Sequence, residues 1–571
     1  MLRPLILSSL FFVASPAFAV DRHPPGERIE QALSAQITQD GLDQLEDVIV
    51  DVVPTLIPAD ALAIPDIHVD VTVAQVDLTN ANATIDVNSV NLVPKPGVLE
   101  MTLNANLLLG SAADPYQMHI ATLFDWCNDP GHLTANVSLK LNVTISVVTL
   151  PGGERAFDVN IDLPGNGVAI NSLNVNGACD TVLNIVGNAL KDVLVNSVLL
   201  PQIQPLISGL GPTIEDALKA ASINQSLDLL GHTIDLQLLP KQVFITTNGI
   251  EIQLSGGASA PEQDSCIADH DPGGSLKTDT PVPGIGLAPA DLAIGAYVSD
   301  DFINEVLYAA FRSGVLCVNV DKDLVGSALP IALDSSLIPL IGGQEYNAII
   351  PATAAPLIIH TNPGKVPTVI VDGAHDVGIR LQEFNLAFVT DIEARQATVI
   401  GLNMDANIGI DLPFDGATGA LSINLDDVKA SNFKFTTTQA LIPGTEAGIE
   451  TSFSGLLDTI LGAALGGLSD SLAFTLPSLS GLGLTQLDIG PGGDQQDWLL
   501  AKVGLGLVSY GGGTDTGAGG AGGCGGCGGS GGCGGASCAS GGGCSANGGM
   551  IPGAPLYVFI PLWLLRRRRD V

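Results

Sequence analysis

LTANVSLKLNVTISV, residues 133–147, alternates apolar and polar without an error. Leu133, Ala135, Val137, Leu139, Leu141, Val143, Ile145 and Val147 face one way, and Thr134, Asn136, Ser138, Lys140, Asn142, Thr144 and Ser146 face the other. A period of two over this length predicts a β-strand of roughly 50 Å, at about 3.3 Å per residue. Strands in ordinary cores usually run only ~20 Å. The apolar face holds no aromatic residue. What that face rests against decides the fold.

Other stretches carry the same alternation: residues 67–73, 99–107 and 157–163, and later Leu402, Met404, Ala406, Ile408, Ile410 and Leu412, then Leu421, Ile423 and Leu425. Four segments carry helical periodicity instead. The first has Leu42, Leu45, Val48, Ile49, Val52, Val53 and Leu56, with Asp43, Glu46, Asp47 and Asp51 opposite. The second has Val182, Ile185, Val186, Ala189, Leu190, Val193 and Leu194, up to Pro201. In the third, Ser299 is the expected N-cap, Asp300 and Asp301 suit the helix dipole, and Gly314 is the expected stop. Its apolar positions include Phe302, Ile303, Val306, Leu307, Ala310 and Phe311. The fourth has Phe453, Leu456, Leu457, Ile460, Leu461, Ala464, Leu465 and Leu468.

Each half of the chain therefore runs helix, antiparallel strands, helix, closing strands, which suggests two copies of one architecture. Residues 257–289 are rich in Pro, Gly and Asp, lack periodicity and read as the linker. The stretch 234–254 before it reads as a strand of a shared central sheet. A long twisted sheet with one apolar face can curl around one or two amphipathic helices. Gly187, Ala189, Ala463, Ala464 and Gly466 are small. Patterning alone leaves two interiors open, one filled by its own side chains and one with an elongated apolar cavity for acyl chains.

Composition agrees with aliphatic interiors. Among 571 residues, 46% are hydrophobic but only 4% aromatic. The formal net charge of −37 repels phosphate backbones and anionic lipid head groups, which argues against a nucleic-acid partner. Residues 1–19 read as a secretory signal peptide, with Arg3, an apolar run from Leu5 to Val13 and the cleavage site Ala17-Phe18-Ala19. No Cys follows that site, which argues against an N-terminal lipoprotein anchor. The mature chain is expected to begin near Val20 and to lie outside the cytoplasm, where disulfides persist.

Cys127, Cys179, Cys266 and Cys317 lie in the body, and four cysteines allow three connectivities. Pairing Cys127 with Cys179 and Cys266 with Cys317 keeps each bridge within one half. No zinc spacing occurs there. Residues 509–549, with Cys524, Cys527, Cys533, Cys538 and Cys544, read as a Gly/Cys-rich flexible linker. Residues 550–571 follow: sixteen apolar-rich residues with three prolines, then Arg566 to Arg569. That is short for a membrane span, which needs about twenty, and the arginines favour the cytoplasmic side.

No HExxH, P-loop or dinucleotide fingerprint occurs, and Gly467-Leu468-Ser469-Asp470-Ser471 lacks the last Gly of a nucleophile elbow. The cluster Asp264, Asp269, His270 and Asp271 offers carboxylate oxygens of the kind calcium takes, but a solvated acidic linker accounts for it. His119, His132, His360 and His375 stand isolated in sequence. No enzyme activity, cofactor or resident metal is expected.

The stretch LAIGAYVSDDFINEVLYAAFRSGVLCVNV, residues 292–320, resembles the start of the C-terminal barrel in one lipid-binding family. That family holds bactericidal/permeability-increasing protein, lipopolysaccharide-binding protein and the cholesteryl-ester and phospholipid transfer proteins. PATAAPLIIHTNPGKVPTVIV from Pro351, LPSLSGLGLTQLDIGPGGDQQDWLLAKVGLGLV at 476–508, Gly41-Leu42 and Ile64-Pro65-Asp66 are similar to it in order. The resemblance covers roughly residues 28–508.

It implies an α+β boomerang of two elongated antiparallel β-barrels, each wrapped on two amphipathic helices and joined by a central sheet. The N-terminal barrel with its central-sheet strands would span 28–256, the C-terminal one 290–508. It implies lipid-binding pockets lined by Leu45, Val48, Ile49, Val52, Val182, Ile185, Val186, Ala189, Leu190 and Val193 in the first barrel. Phe302, Val306, Leu307, Ala310, Leu457, Ile460, Leu461 and Ala464 would line the second. It also implies a first-barrel disulfide at the positions of Cys127 and Cys179, whereas Cys266–Cys317 has no counterpart. The acidic body departs from members that bind lipopolysaccharide through a basic tip, so neutral or zwitterionic lipids are the expected partners.

The tail resembles the C-terminal sorting signals of myxobacterial surface proteins, with Cys544 matching the cysteine processed by a membrane protease. The expected location is the cell surface or outer membrane, tethered by the tail; a permanent membrane anchor is the other reading. The competing functional class is a structural surface protein or adhesin with filled barrels and no ligand.

Overall fold

A computed structural model describes residues 21–56, 66–71, 74–79, 83–110, 116–122, 126–176, 191–192, 194–219, 222–229, 231–278, 280–322, 332–422, 424–436, 442, 444–450, 452–453, 474–475 and 482–507. Strand dominates these residues and helices are few. The signal segment, the tail and the elbow-like Gly467 to Ser471 lie outside the described residues.

The opening stretch sits inside one 24-residue strand, Trp126–Thr149, the spine of an eight-stranded antiparallel sheet. Val98–Leu109 pairs with it, and Ala83–Lys95 pairs with Val98–Leu109 as an edge. Arg155–Asp162, Val168–Asn176 and Tyr116–Thr122 also pair with the long strand. The predicted alternation holds: Leu133, Ala135, Val137, Leu141 and Val143 are buried.

A seven-stranded central sheet joins the two ends of the chain. Ile29–Thr38 and Ile294–Ser299, the strands that lead into the first and third helices, pair antiparallel at its middle. Each is then flanked by a closing hairpin of its own half. Gly249–Ser259 with His232–Thr246 lies on one side, and Trp498–Leu507 with Leu482–Gly492 on the other. Ile223–Leu229 completes the first edge. Thus the shared sheet expected from residues 234–254 exists, built evenly from both halves. That stretch is two strands, however, turned at Thr247-Asn248 with Gly249 at φ 140°. Asn-Gly between apolar runs is a strong hairpin signal.

A six-stranded sheet serves the second half, including Leu357–Pro363, Val377–Ile392, Arg395–Asp411 and Asn424–Phe435. Its core contains Ile338, Ile341, Tyr346, Phe388, Ile400 and Leu402. Phe453 meets Phe388 and Phe433 edge to face, at centroid distances of 6.0 and 5.9 Å. These rings pack among the aliphatic side chains that make up most of this core.

Helix α1, Gln39–Leu56, follows the predicted periodicity. The second helix differs. Residues 194–199 wind as a π-helix, and α2, Leu200–Lys219, runs on past Pro201, where the sequence placed its end. Pro201 falls in the first turn of α2, where an N–H has no partner within the helix, so proline does not stop it there. Helix α3, Asp300–Arg312, begins as predicted, with the Ser299 hydroxyl accepting from the Asp301 N–H (3.1 Å). It stops at Gly314, whose φ of 81° belongs to the left-handed region.

The linker is a strap fastened to the central sheet. The strand before it continues to Ser259, inside the stretch read as linker. Beyond it, Cys266–Cys317 forms the expected second-half disulfide. Gln36 Nε2 donates to the Pro283 carbonyl (2.6 Å), and the Ile285 N–H donates to Glu251 Oε2 (3.1 Å). The Thr278 N–H donates to Asp301 Oδ1 (2.7 Å), Thr280 Oγ1 to Asp497 Oδ2 (2.5 Å), and Ser275 Oγ to Glu305. Asp271 accepts from Tyr308 Oη (2.9 Å) and Asp264 from the Cys266 N–H (2.7 Å), so these carboxylates have structural work. Burial pushes the Glu305 carboxyl up, and burial with the Asp301 charge pushes Asp300 to about 6.

Candidate apolar binding face

The inner face of the first sheet is built in rows. Register sets Ala83, Leu109 and Leu133 side by side, then Ile85, Leu107 and Ala135, then Val87, Ala105, Val137 and Ile170. Val90, Leu103 and Leu139 follow, then Leu92, Met101 and Leu141, then Leu99, Val143 and Ile161. The last rows pair Ile145 with Val159 and Val147 with Phe157. Phe157 is the one aromatic residue named in these rows. From Leu133 to Val147 the face extends about 45 Å at ~3.3 Å per residue.

Two helices bound this face, each fixed by a carboxylate. The Leu92 N–H donates to Glu46 Oε1 of α1 (2.5 Å), and the Val159 N–H to Glu215 Oε1 of α2 (2.9 Å). The edge strands thereby lose open donors that would otherwise invite further pairing. Leu42 of α1 is buried with Val87, Val90, Leu92 and Ala105, and Leu45, Ile49 and Val50 pack against that cluster.

The outer face is polar and interlocked. Asn106 Nδ2 donates to Asn88 Oδ1 (3.1 Å), Asn136 Nδ2 to Asn106 Oδ1 (3.3 Å) and Asn171 Nδ2 to Asn136 Oδ1 (3.0 Å). Each amide uses one donor sideways and keeps others for water. Only the aliphatic face of this sheet is chemically suited to hydrocarbon.

Burial along that face is uneven. Leu107, Leu133, Ala135 and Leu141 are at most 1% exposed, yet Leu99, Met101, Leu103 and Leu139 between and beside them stay partly accessible. These four lie on adjacent strands. Ile85, Ile145, Val147 and Ile161 are partly accessible too. Leu99, Met101 and Leu103 pack against the Leu42 cluster and still leave aliphatic surface open to hydrocarbon.

Of the residues expected to line pockets, Leu45 and Ile49 stand on this wall. Phe302, Val306 and Ala310 belong to the core beneath the central sheet, with Leu33, Leu236, Leu254 and Phe157, and Leu307 is partly exposed. Val182, Ile185, Val186, Ala189, Leu190, Val193, Leu457, Ile460, Leu461 and Ala464 lie outside the described residues, as do Cys179, Cys544 and the side chains of Val48, Val52 and Cys127. Sequence reasoning looked for lining on helices and passed over the strands themselves. The alternation in 99–107 and 133–147 was the signal that could have found Leu103 and Leu139.

A concavity of about 670 Å³ lies elsewhere, on the central sheet between Gly26, Arg28, Glu30, Asn224, Gln225, Asp235, Gln237 and Ser259. Its lining is polar, and Arg28 Nη2 donates to Gln237 Oε1 (2.8 Å). It suits no acyl chain.

The architecture defines a class of β-rich proteins: two antiparallel sheets joined through a central sheet made by both halves, with helices laid on an aliphatic face. Within that class, the chain has the fold of the bactericidal/permeability-increasing and lipopolysaccharide-binding protein family. The crystal structure of lipopolysaccharide binding protein superposes with a TM-score of 0.50 at 14% identity, over 84% of this chain and 100% of that one. P47 of Clostridium botulinum E1 (TM-score 0.23, 9% identity, 84% and 99% covered) and Takeout 1 of Epiphyas postvittana (TM-score 0.19, 17% identity, 32% and 93% covered) overlap more loosely. No family model and no curated protein matches the sequence.

Proposed function

We propose that the protein is an exported, surface-tethered carrier that holds lipid acyl chains in two elongated apolar barrels, without a catalytic step. The observation that carries this reading is the long aliphatic face of the first sheet, on which Leu99, Met101, Leu103 and Leu139 stay partly accessible beside fully buried neighbours. Each methylene that leaves water for such a face gains about 0.8 kcal/mol. A chain of ten covered methylenes therefore gains about 8 kcal/mol before the cost of immobilisation. The shared fold supports the reading, because lipopolysaccharide binding protein is by name a lipid binder. The net charge of −37 favours neutral or zwitterionic lipids over anionic ones. The N-terminal signal, the Gly/Cys-rich tract and the terminal arginines support export and tethering at the cell surface or outer membrane, with a processing protease acting at Cys544.

Mass spectrometry of an organic extract of the purified chain tests the proposal. Lipid in near-stoichiometric amount is the expected result. A clean extract, with no uptake of a fluorescent acyl probe, would assign the protein to the adhesin class instead.

A further inference from the structure

Three strands at one end of the first sheet bring together histidines that stand far apart in sequence. Ile67–Val71 pairs with Ala74–Thr79, which pairs with Tyr116–Thr122. Register sets His68 opposite Asp77, and Asp77 opposite His119, so the three form one cross-strand row. With strands ~4.8 Å apart, the two histidines flank the aspartate at equal distances on either side. Directly opposed residues on neighbouring strands share a face. Asp70 and Gln75 belong to the same face, two residues along their strands.

Two of the three ligands already meet, and His119 joins them through register, its imidazole turning toward Asp77 to complete the set. His68 Nδ1 contacts Asp77 Oδ1, and His68 Nε2 lies 3.5 Å from Asp70 Oδ2 and 3.1 Å from Gln75 Nε2. His68 is 56% exposed and Asp77 32%, and His119 is partly exposed, so solvent ions reach the row.

The geometry points to a divalent-cation site in which His68, Asp77 and His119 supply two imidazoles and one carboxylate. Imidazole with carboxylate suits zinc, copper or nickel, whereas calcium and magnesium prefer all-oxygen shells. Antiparallel strands hold such ligands well, because the ladder fixes their spacing. Three protein ligands leave a fourth position for water or for Asp70. The acidic body raises the local concentration of cations around this exposed face. Neither the acyl-binding reading nor the cysteine-rich tail is needed for the site.

Zinc titration of the full chain by calorimetry tests it, after alkylation of free thiols so that the tail cysteines cannot bind. One zinc per chain is expected, weakened at least tenfold by His68→Ala and by His119→Ala, with thermal unfolding curves like the wild type. In the unmutated chain, zinc should protect His68 and His119 from diethylpyrocarbonate, read by peptide mass spectrometry. Absence of zinc binding after alkylation, or binding unchanged by both substitutions together with unprotected histidines, would overturn the proposal.

Discussion

Replacing Leu103 by Asp puts a carboxylate into the middle of the aliphatic face. Leu103 stands in register between Val90 and Leu139 and remains partly accessible, so the new carboxylate finds water when no lipid is present. The folded chain should therefore tolerate it far better than a charge at Leu107, which is 1% exposed. Binding is another matter. An acyl chain that covers the site must strip the carboxylate of water, at about 1–3 kcal/mol for a polar group without a partner and more if it stays charged. It also loses its contact there, at about 0.8 kcal/mol for each methylene no longer covered. With two or three methylenes affected, the loss is about 3–5 kcal/mol, or at least a hundredfold in affinity. Equilibrium titration with a fluorescent fatty-acyl probe measures it, and circular dichroism verifies the fold. A folded Leu103→Asp chain that binds the probe as tightly as the wild type would refute the idea that this face holds lipid.

Four further outcomes follow from the structure. Leu107→Ala removes a fully buried side chain and should cost about 2–5 kcal/mol in denaturant unfolding. Ser299→Ala removes the cap of α3 and should cost about 1 kcal/mol by the same assay. Removing the Cys266–Cys317 bridge with a double Ser substitution frees a 51-residue separation and should cost about 2–4 kcal/mol, with the strap becoming more open to proteolysis. Asp300 has a folded pKa of about 6, above its ordinary value, so the folded state binds this proton more tightly than the unfolded chain. Its contribution makes stability fall as pH rises from about 4 to about 6, with no further change above. Asp300→Asn should flatten that part of the melting-temperature profile, and an unaltered slope would contradict the assignment.

What could be read from the sequence depended on whether local pattern or tertiary cover set each residue's environment. The strand over 133–147 was legible because one face meets apolar partners and the other meets water, so burial follows identity. Helix α3 was legible because Ser299 and Gly314 mark its ends by local chemistry alone. The strap was not. Its Pro, Gly and Asp residues carry no period, and they are held by partners far away in sequence, such as Gln36, Glu251 and Asp497. The same strap obscures Ile29–Thr38, whose Ser34 and Gln36 are polar yet fully buried beneath it. A polar residue there signals a tertiary hydrogen bond rather than exposure. The row of His68, Asp77 and His119 was invisible for a related reason: register between three strands, and no spacing along the chain, brings them together.

Photocrosslinking tests the central claim most directly. The purified chain is loaded with a diazirine-bearing fatty acid, irradiated and digested, and the labelled peptides are mapped. Label concentrated on inward residues of Val98–Leu109 and Trp126–Thr149, near Leu103 and Leu139, is the result the account predicts. Absence of label, or label confined to the asparagine-rich outer face, would contradict it.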